Sequence, residues 1–132
     1  MSTFPQVSAP QNRTLIISKV SNLSFTPPES GLDNLMVDSK GAIWAAGLPK
    51  VLATRAHILD PAKKPSAPSS VFKITLNIGE SSFYGEKYLV QKVLEDDGTK
   101  ISGASSAAHD ATRGRLFIHG LVGESLIVCQ TK

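Results

Sequence analysis

Between residues 71 and 78 apolar and polar side chains alternate, with Phe72, Ile74, Leu76 and Ile78 set against Lys73, Thr75 and Asn77. A period of two predicts a strand with one buried face. Shorter runs of the same kind surround it. Leu35–Val37 and Ala42–Gly47 flank Asp38-Ser39-Lys40-Gly41, a tight-turn sequence, and together predict a hairpin. Tyr88–Leu94, ended by Asp96-Asp97-Gly98, predicts the next strand, and residues 101–108, 116–119 and 126–130 predict three more. Leu15–Val20 is a further β-type run. Pro27-Pro28 breaks the chain after it, because proline removes a backbone donor and fixes φ. Residues 48–70 carry four prolines and read as a long loop, with one or two helical turns at Val51–Leu59. Residues 1–13 read as a flexible lead-in. The class these elements predict is all-β.

The hairpin is written twice. Ser30-Gly31 recurs as Ser102-Gly103 and Asp38 recurs as Asp110, both at an offset of 72 residues. After a one-residue insertion, Lys40-Gly41 matches Arg113-Gly114, Ile43-Trp44 matches Leu116-Phe117, and Gly47 matches Gly120. Repeats of strand units point to stacked sheets such as propeller blades, which have four strands each. The first unit, residues 30–98, supplies four strands, and its 48–70 loop accounts for the unusual spacing. The second unit, residues 99–132, supplies three. Residues 14–20 are placed either as the missing strand or as the outer strand of a further blade.

Composition narrows the function classes. The chain has 132 residues, 14 Lys and Arg against 11 Asp and Glu, and a net charge of +3. The basic residues are scattered, which disfavours a nucleic-acid partner. No apolar stretch is long enough to span a membrane as a helix. Met1–Pro10 lacks the basic and apolar regions of a signal peptide, so the sequence as written predicts a cytoplasmic protein. Cys129 is the only cysteine and reads as a small buried hydrophobe. Of the three histidines, His57 reads as solvated in the long loop, His109 as a surface partner of Asp110, and His119 as a strand end. Nothing in the sequence brings serine, histidine and aspartate together as a nucleophile triad. Trp44 reads as core.

Gly31-Leu32-Asp33-Asn34-Leu35-Met36-Val37-Asp38, followed by Gly41-Ala42-Ile43-Trp44, resembles the paraoxonase/arylesterase family. Ile101–Ser106, Gly114–Ile118 and the final run Leu126-Ile127-Val128-Cys129-Gln130 resemble that family's last blade. The resemblance implies about two blades of an incomplete six-bladed β-propeller, built of antiparallel four-stranded sheets and spanning residues 14–132. It also implies a calcium-dependent hydrolase of aryl esters and lactones, with the missing blades as a further partner. In that family an adjacent Asp-Asn pair ligates the catalytic calcium, and here the pair is Asp33-Asn34. A carboxylate and an amide oxygen suit a hard cation. At the equivalent place in the second unit stand Ser105-Ser106, so the pair is not a requirement of the hairpin. The other reading of Asp33 and Asn34 is local capping of the turn after Pro27-Pro28.

The remaining calcium ligands and the histidine dyad of the family belong to blades outside these residues. The family's terminal cysteine has a partner near the N-terminus that this sequence lacks. Calcium binding is therefore expected only in a complete propeller, no catalytic residue is assigned, and the isolated chain is expected to be inactive. The resemblance leaves secretion open for full-length relatives. Three alternatives stay open: a gluconolactonase-like propeller fragment, a split enzyme completed by another chain, and a non-catalytic β-module that binds a partner through an open sheet edge.

Overall fold

The two hairpins that match in sequence also match in register. The computed structural model describes residues 31–60, 62, 66–123 and 125–131. The lead-in 1–13 and the strand expected at 14–20 lie outside them. Strand β1 (Gly31–Val37) pairs antiparallel with β2 (Ile43–Leu48), and β5 (Ala104–Asp110) pairs with β6 (Arg115–Gly120). Met36 faces Trp44 as Ala108 faces Phe117, and Leu35 faces Ala45 as Ala107 faces Ile118. Both hairpins bulge at the same place, between Leu32 and Leu35 in one and between Ala104 and Ser106 in the other. Their turns are alike as well. Gly41 and Gly114 both take φ in the left-handed region, at 83° and 60°, which glycine adopts without a Cβ penalty. The aspartate before each turn caps it, Asp38 through the N–H groups of Lys40 and Ala42, Asp110 through those of Thr112 and Arg113.

The first hairpin continues into β3 (Ser69–Leu76) and β4 (Tyr88–Asp96), giving a four-stranded antiparallel sheet in the order β1-β2-β3-β4. The second adds β7 (Ile127–Gln130), giving a three-stranded sheet in the order β5-β6-β7. The expected class is met: the described residues are all-β apart from one short α-helix and a 3-10 turn.

Three boundaries differ from expectation. β3 begins at Ser69 and ends at Leu76, before Ile78. Asn77 stops it: its side chain accepts from Gly79 N–H and donates to Ser81 Oγ and Glu86 O, closing the loop that holds the 3-10 turn Glu80–Tyr84. Within the long connection, α1 (Val51–Leu59) runs for nine residues, longer than the one or two turns anticipated. β1 starts at Gly31, so Asp33 and Asn34 belong to a strand bulge; the turn after Pro27-Pro28, where the capping alternative places them, lies outside the described residues.

The sheets stack face to face. Ala42, Trp44, Ala46 and Val71 of the first pack on Ala104, Ala107, Leu116 and Ile118 of the second, with Ile101 between them. The Asp96–Ala104 connection is fastened by side chains. Asp96 Oδ2 accepts the N–H groups of Gly98, Lys100 and Ile101, while buried Ser69 donates to Ile101 O and accepts from Ala104 N–H. A Cβ on Gly120 would collide with the Ser102 carbonyl oxygen of this connection. Gly120→Ala is therefore expected to destabilise the chain by about 1–3 kcal/mol, the usual scale of overpacking. Urea unfolding checks it, and an unchanged midpoint would contradict the close approach.

Candidate functional site

The best-formed polar cluster joins the two sheets and differs from the pair that the sequence singled out. Asp38, at the end of β1, is buried; its side chain is only 2% exposed. Its Oδ1 accepts the two turn N–H groups, and its Oδ2 accepts Trp44 Nε1–H at 2.8 Å. His109, in β5, brings Nδ1 to the same Oδ2 at 2.8 Å and Nε2 to Thr131 Oγ1 at 3.0 Å. The imidazole lies over Trp44, ring centroids 4.0 Å apart. Burial tends to raise the Asp38 pKa, but the hydrogen bonds from His109, Trp44, Ala42 and Lys40 outweigh it and hold the carboxyl below the ordinary value.

This corrects two expectations. His109 is not a surface partner of Asp110: the strand alternation that turns residue 110 outward turns residue 109 toward the first sheet, and its side chain is 10% exposed. Asp110 pairs instead with Arg113. A hydroxyl, a histidine and a carboxylate do come together, in the order Thr131–His109–Asp38. The sequence hid this because Asp38 and His109 are 71 residues apart and belong to different sheets. The spacing resembles a nucleophile–base–acid relay. Its surroundings are those of a fastening: Asp38 Oδ2 is shared with Trp44, and the Thr131 N–H that flanks the hydroxyl is committed to Gly114 O. His57, expected to be solvated, is half-buried on α1, whose Thr54 is buried; its Nδ1 has no hydrogen-bond partner among the described residues.

Beside the cluster a cavity of about 430 Å³ opens between the sheets, lined by Trp44, Lys73, Gln91, Val93, Leu116 and Cys129 among others. Lys73 Nζ stands 5.7 Å from the Trp44 ring centroid. Trp44 is 2% exposed and packs in the core as expected. Cys129 is half-buried, a free thiol packed against the same core.

Asp33 and Asn34 are exposed on the β1 bulge. Asn34 Nδ2 donates to Ser106 Oγ at 3.0 Å, so the amide meets its own counterpart in the second unit. The three side chains Asp33, Asn34 and Ser106 offer far fewer oxygens than the six to eight calcium takes. Among the described residues no three His, Cys, Asp or Glu side chains converge as a metal site. The described residues alone do not fit a calcium ion.

No protein-family model matches the chain, and the search of curated proteins likewise gave no match. None of the helices among the described residues is long and apolar enough to cross a membrane.

Proposed function

We propose that the chain forms two adjoining blades of a six-bladed propeller of the calcium-dependent arylesterase/lactonase kind, and that it supplies part of a metal-centred site. The observation that carries this reading is the direction of stacking. By register, Trp44 corresponds to Phe117 and Ala45 to Ile118. The Trp44 face of the first sheet packs on the Ile118 face of the second, so front meets back. A front-to-back contact is heterologous, and such contacts repeat into a ring where the rotation between neighbours closes. The outer face of the first sheet is apolar, with Ile43 and Ile74 packed against Leu35, Val37, Tyr88 and Val90. The outer face of the second carries Ala108, Phe117 and Val128. The second of these faces is half-buried to exposed and suits a further sheet of the same kind, whereas Ile43 and Ile74 of the first are already buried.

In this reading Asp33 and Asn34, on the strand next to β5, offer two oxygens to a cation that other blades must hold. No hydrolytic step is assigned to the chain by itself. Purified chain should show no calcium-dependent turnover of phenyl acetate or a simple lactone. Together with a polypeptide carrying the remaining blades it should show such turnover, and Asp33→Ala should lower the rate about a hundredfold, the scale of losing a stabilising group at a reacting centre. Calcium-dependent turnover by the chain alone would overturn the proposal, as would a reconstituted enzyme indifferent to Asp33→Ala. Among the described residues nothing pairs with the outer edge of β7, which supports a second reading, a module that takes up a strand from a partner. A stoichiometric complex without hydrolase activity would support that one.

A further inference from the structure

Two rows of side chains meet between the sheets, and one of them carries a charge into the gap. Across the first sheet Met36, Trp44, Lys73 and Gln91 lie in register from β1 to β4. Across the second, His109, Leu116 and Cys129 lie in register from β5 to β7. The rows join where the His109 ring stacks on Trp44. The next positions along both, Lys73 and Gln91 on one side, Leu116 and Cys129 on the other, line the cavity of about 430 Å³. Strand alternation puts the lysine there. Val71 is fully buried against the second sheet, and Lys73, two residues on, takes the same face. Lys73 is half-buried. A cation between packed sheets is costly unless it is solvated or meets an anion. The Asp38 carboxylate is already engaged by Lys40, Ala42, Trp44 and His109. Among the described residues Lys73 forms no ion pair, and its ammonium stands over the Trp44 ring.

We propose that this cavity binds a small organic carboxylate, a monoanion with a compact apolar body, and that Lys73 Nζ is its charge partner. An ammonium offers a point charge and three donors. Gln91, exposed beside it in the same row, brings an amide donor for the second carboxylate oxygen. Val93, Leu94 and Leu116 supply apolar wall for the body of the ligand. Among the described residues that line the cavity none is acidic, and no second cation stands with Lys73. One negative charge is matched, and a phosphate dianion is not. The volume and the mix of apolar wall with a few polar groups are those of small-molecule sites. The competing role for Lys73 is to lay its stem on Trp44 and carry its charge past the ring to water. Asp33 and Asn34 lie on β1, whereas the cavity lies on the β3 and β4 side of the sheet. The inference is therefore independent of the propeller reading.

Titration of the unmodified chain with phenylacetate tests it. Trp44 and Cys129 are the sole residues of their kinds, and both line the cavity. Trp44 emission should change saturably with a Kd of about 0.1–1 mM, the range open to a ligand of about ten non-hydrogen atoms. Labelling of Cys129 by an aromatic disulfide should slow in proportion to occupancy. Phenylacetamide, the same shape without the charge, should bind at least about tenfold more weakly, the worth of a charge-assisted bond. Lys73→Met keeps the stem over Trp44 and should weaken phenylacetate by a similar factor while leaving phenylacetamide unchanged. Equal affinities for acid and amide would overturn the proposal. So would a Lys73→Met variant that binds phenylacetate as the unmodified chain does, or no saturable response up to about 10 mM. The comparison of acid with amide needs no variant and decides the matter even if Lys73→Met does not fold.

Discussion

Replacing Asp38 by alanine will cost the folded chain about 3–5 kcal/mol, the penalty for removing one partner from a buried charged network. The carboxylate accepts four hydrogen bonds, from Lys40 N, Ala42 N, Trp44 Nε1 and His109, at 2.8–3.0 Å. Alanine would leave buried donors facing a void. Urea unfolding followed by the emission of Trp44 measures the loss, and a change below about 1 kcal/mol, the worth of a surface pair, would show that the cluster fastens nothing. Asp38→Asn separates shape from charge. The folded pKa of Asp38 lies below its ordinary 3.8, because His109, Trp44, Ala42 and Lys40 outweigh the effect of burial. Its contribution is therefore complete above that value and fades as pH falls through the depressed one. The asparagine variant should lose less stability than wild type between pH 4 and pH 2, and a parallel acid limb in both would refute the assignment.

Trp44→Ala should be nearly as damaging, about 3–5 kcal/mol, the usual range for a buried aromatic truncated to alanine. It removes a side chain 2% exposed, the ring under His109 and one donor to Asp38. Trp44→Phe keeps an aromatic surface and loses the donor, so about 1–2 kcal/mol is expected, one hydrogen bond to a charged group. Circular dichroism reads both, since the fluorophore is gone. Combined with Asp38→Ala, the phenylalanine variant should cost clearly less than the two single losses added, because they share one bond. Strict additivity would place Trp44 outside the network.

The sequence and the structure agree where the controlling physics is local. The hairpins were legible because Asp, a glycine with positive φ and a fixed count of apolar positions determine turn and register within a dozen residues, and because the pattern is written twice. Matching Ile43-Trp44 to Leu116-Phe117 and Gly47 to Gly120 held residue by residue in the ladders. α1 was only partly legible, since the helix exposes Leu52 and Leu59 and buries Thr54, the inverse of an amphipathic pattern. The fastening of Asp38, His109 and Thr131 was not legible, because its members are separated by 71 and 22 residues and only the stacking of two sheets brings them together. His109 sits next to Asp110 in sequence, and adjacency pointed to the wrong carboxylate. Asp33-Asn34 stood out by contrast with Ser105-Ser106, and among the described residues the structure ties that pair to the second unit through the Asn34–Ser106 bond.

The reach of that fastening has a consequence for synthesis. A nascent chain that has emerged only through β4 already has the Asp38 turn and Trp44, so the first hairpin is complete, yet its carboxylate lacks the imidazole. The last hydroxyl, on Thr131, follows β7 and is made only after the whole second sheet. Contacts this distant in sequence form late and slowly, and until then the apolar face around Trp44 lacks the cover that the second sheet supplies. The interval in which the half-made chain needs protection from aggregation thus extends over almost the whole of its second sheet.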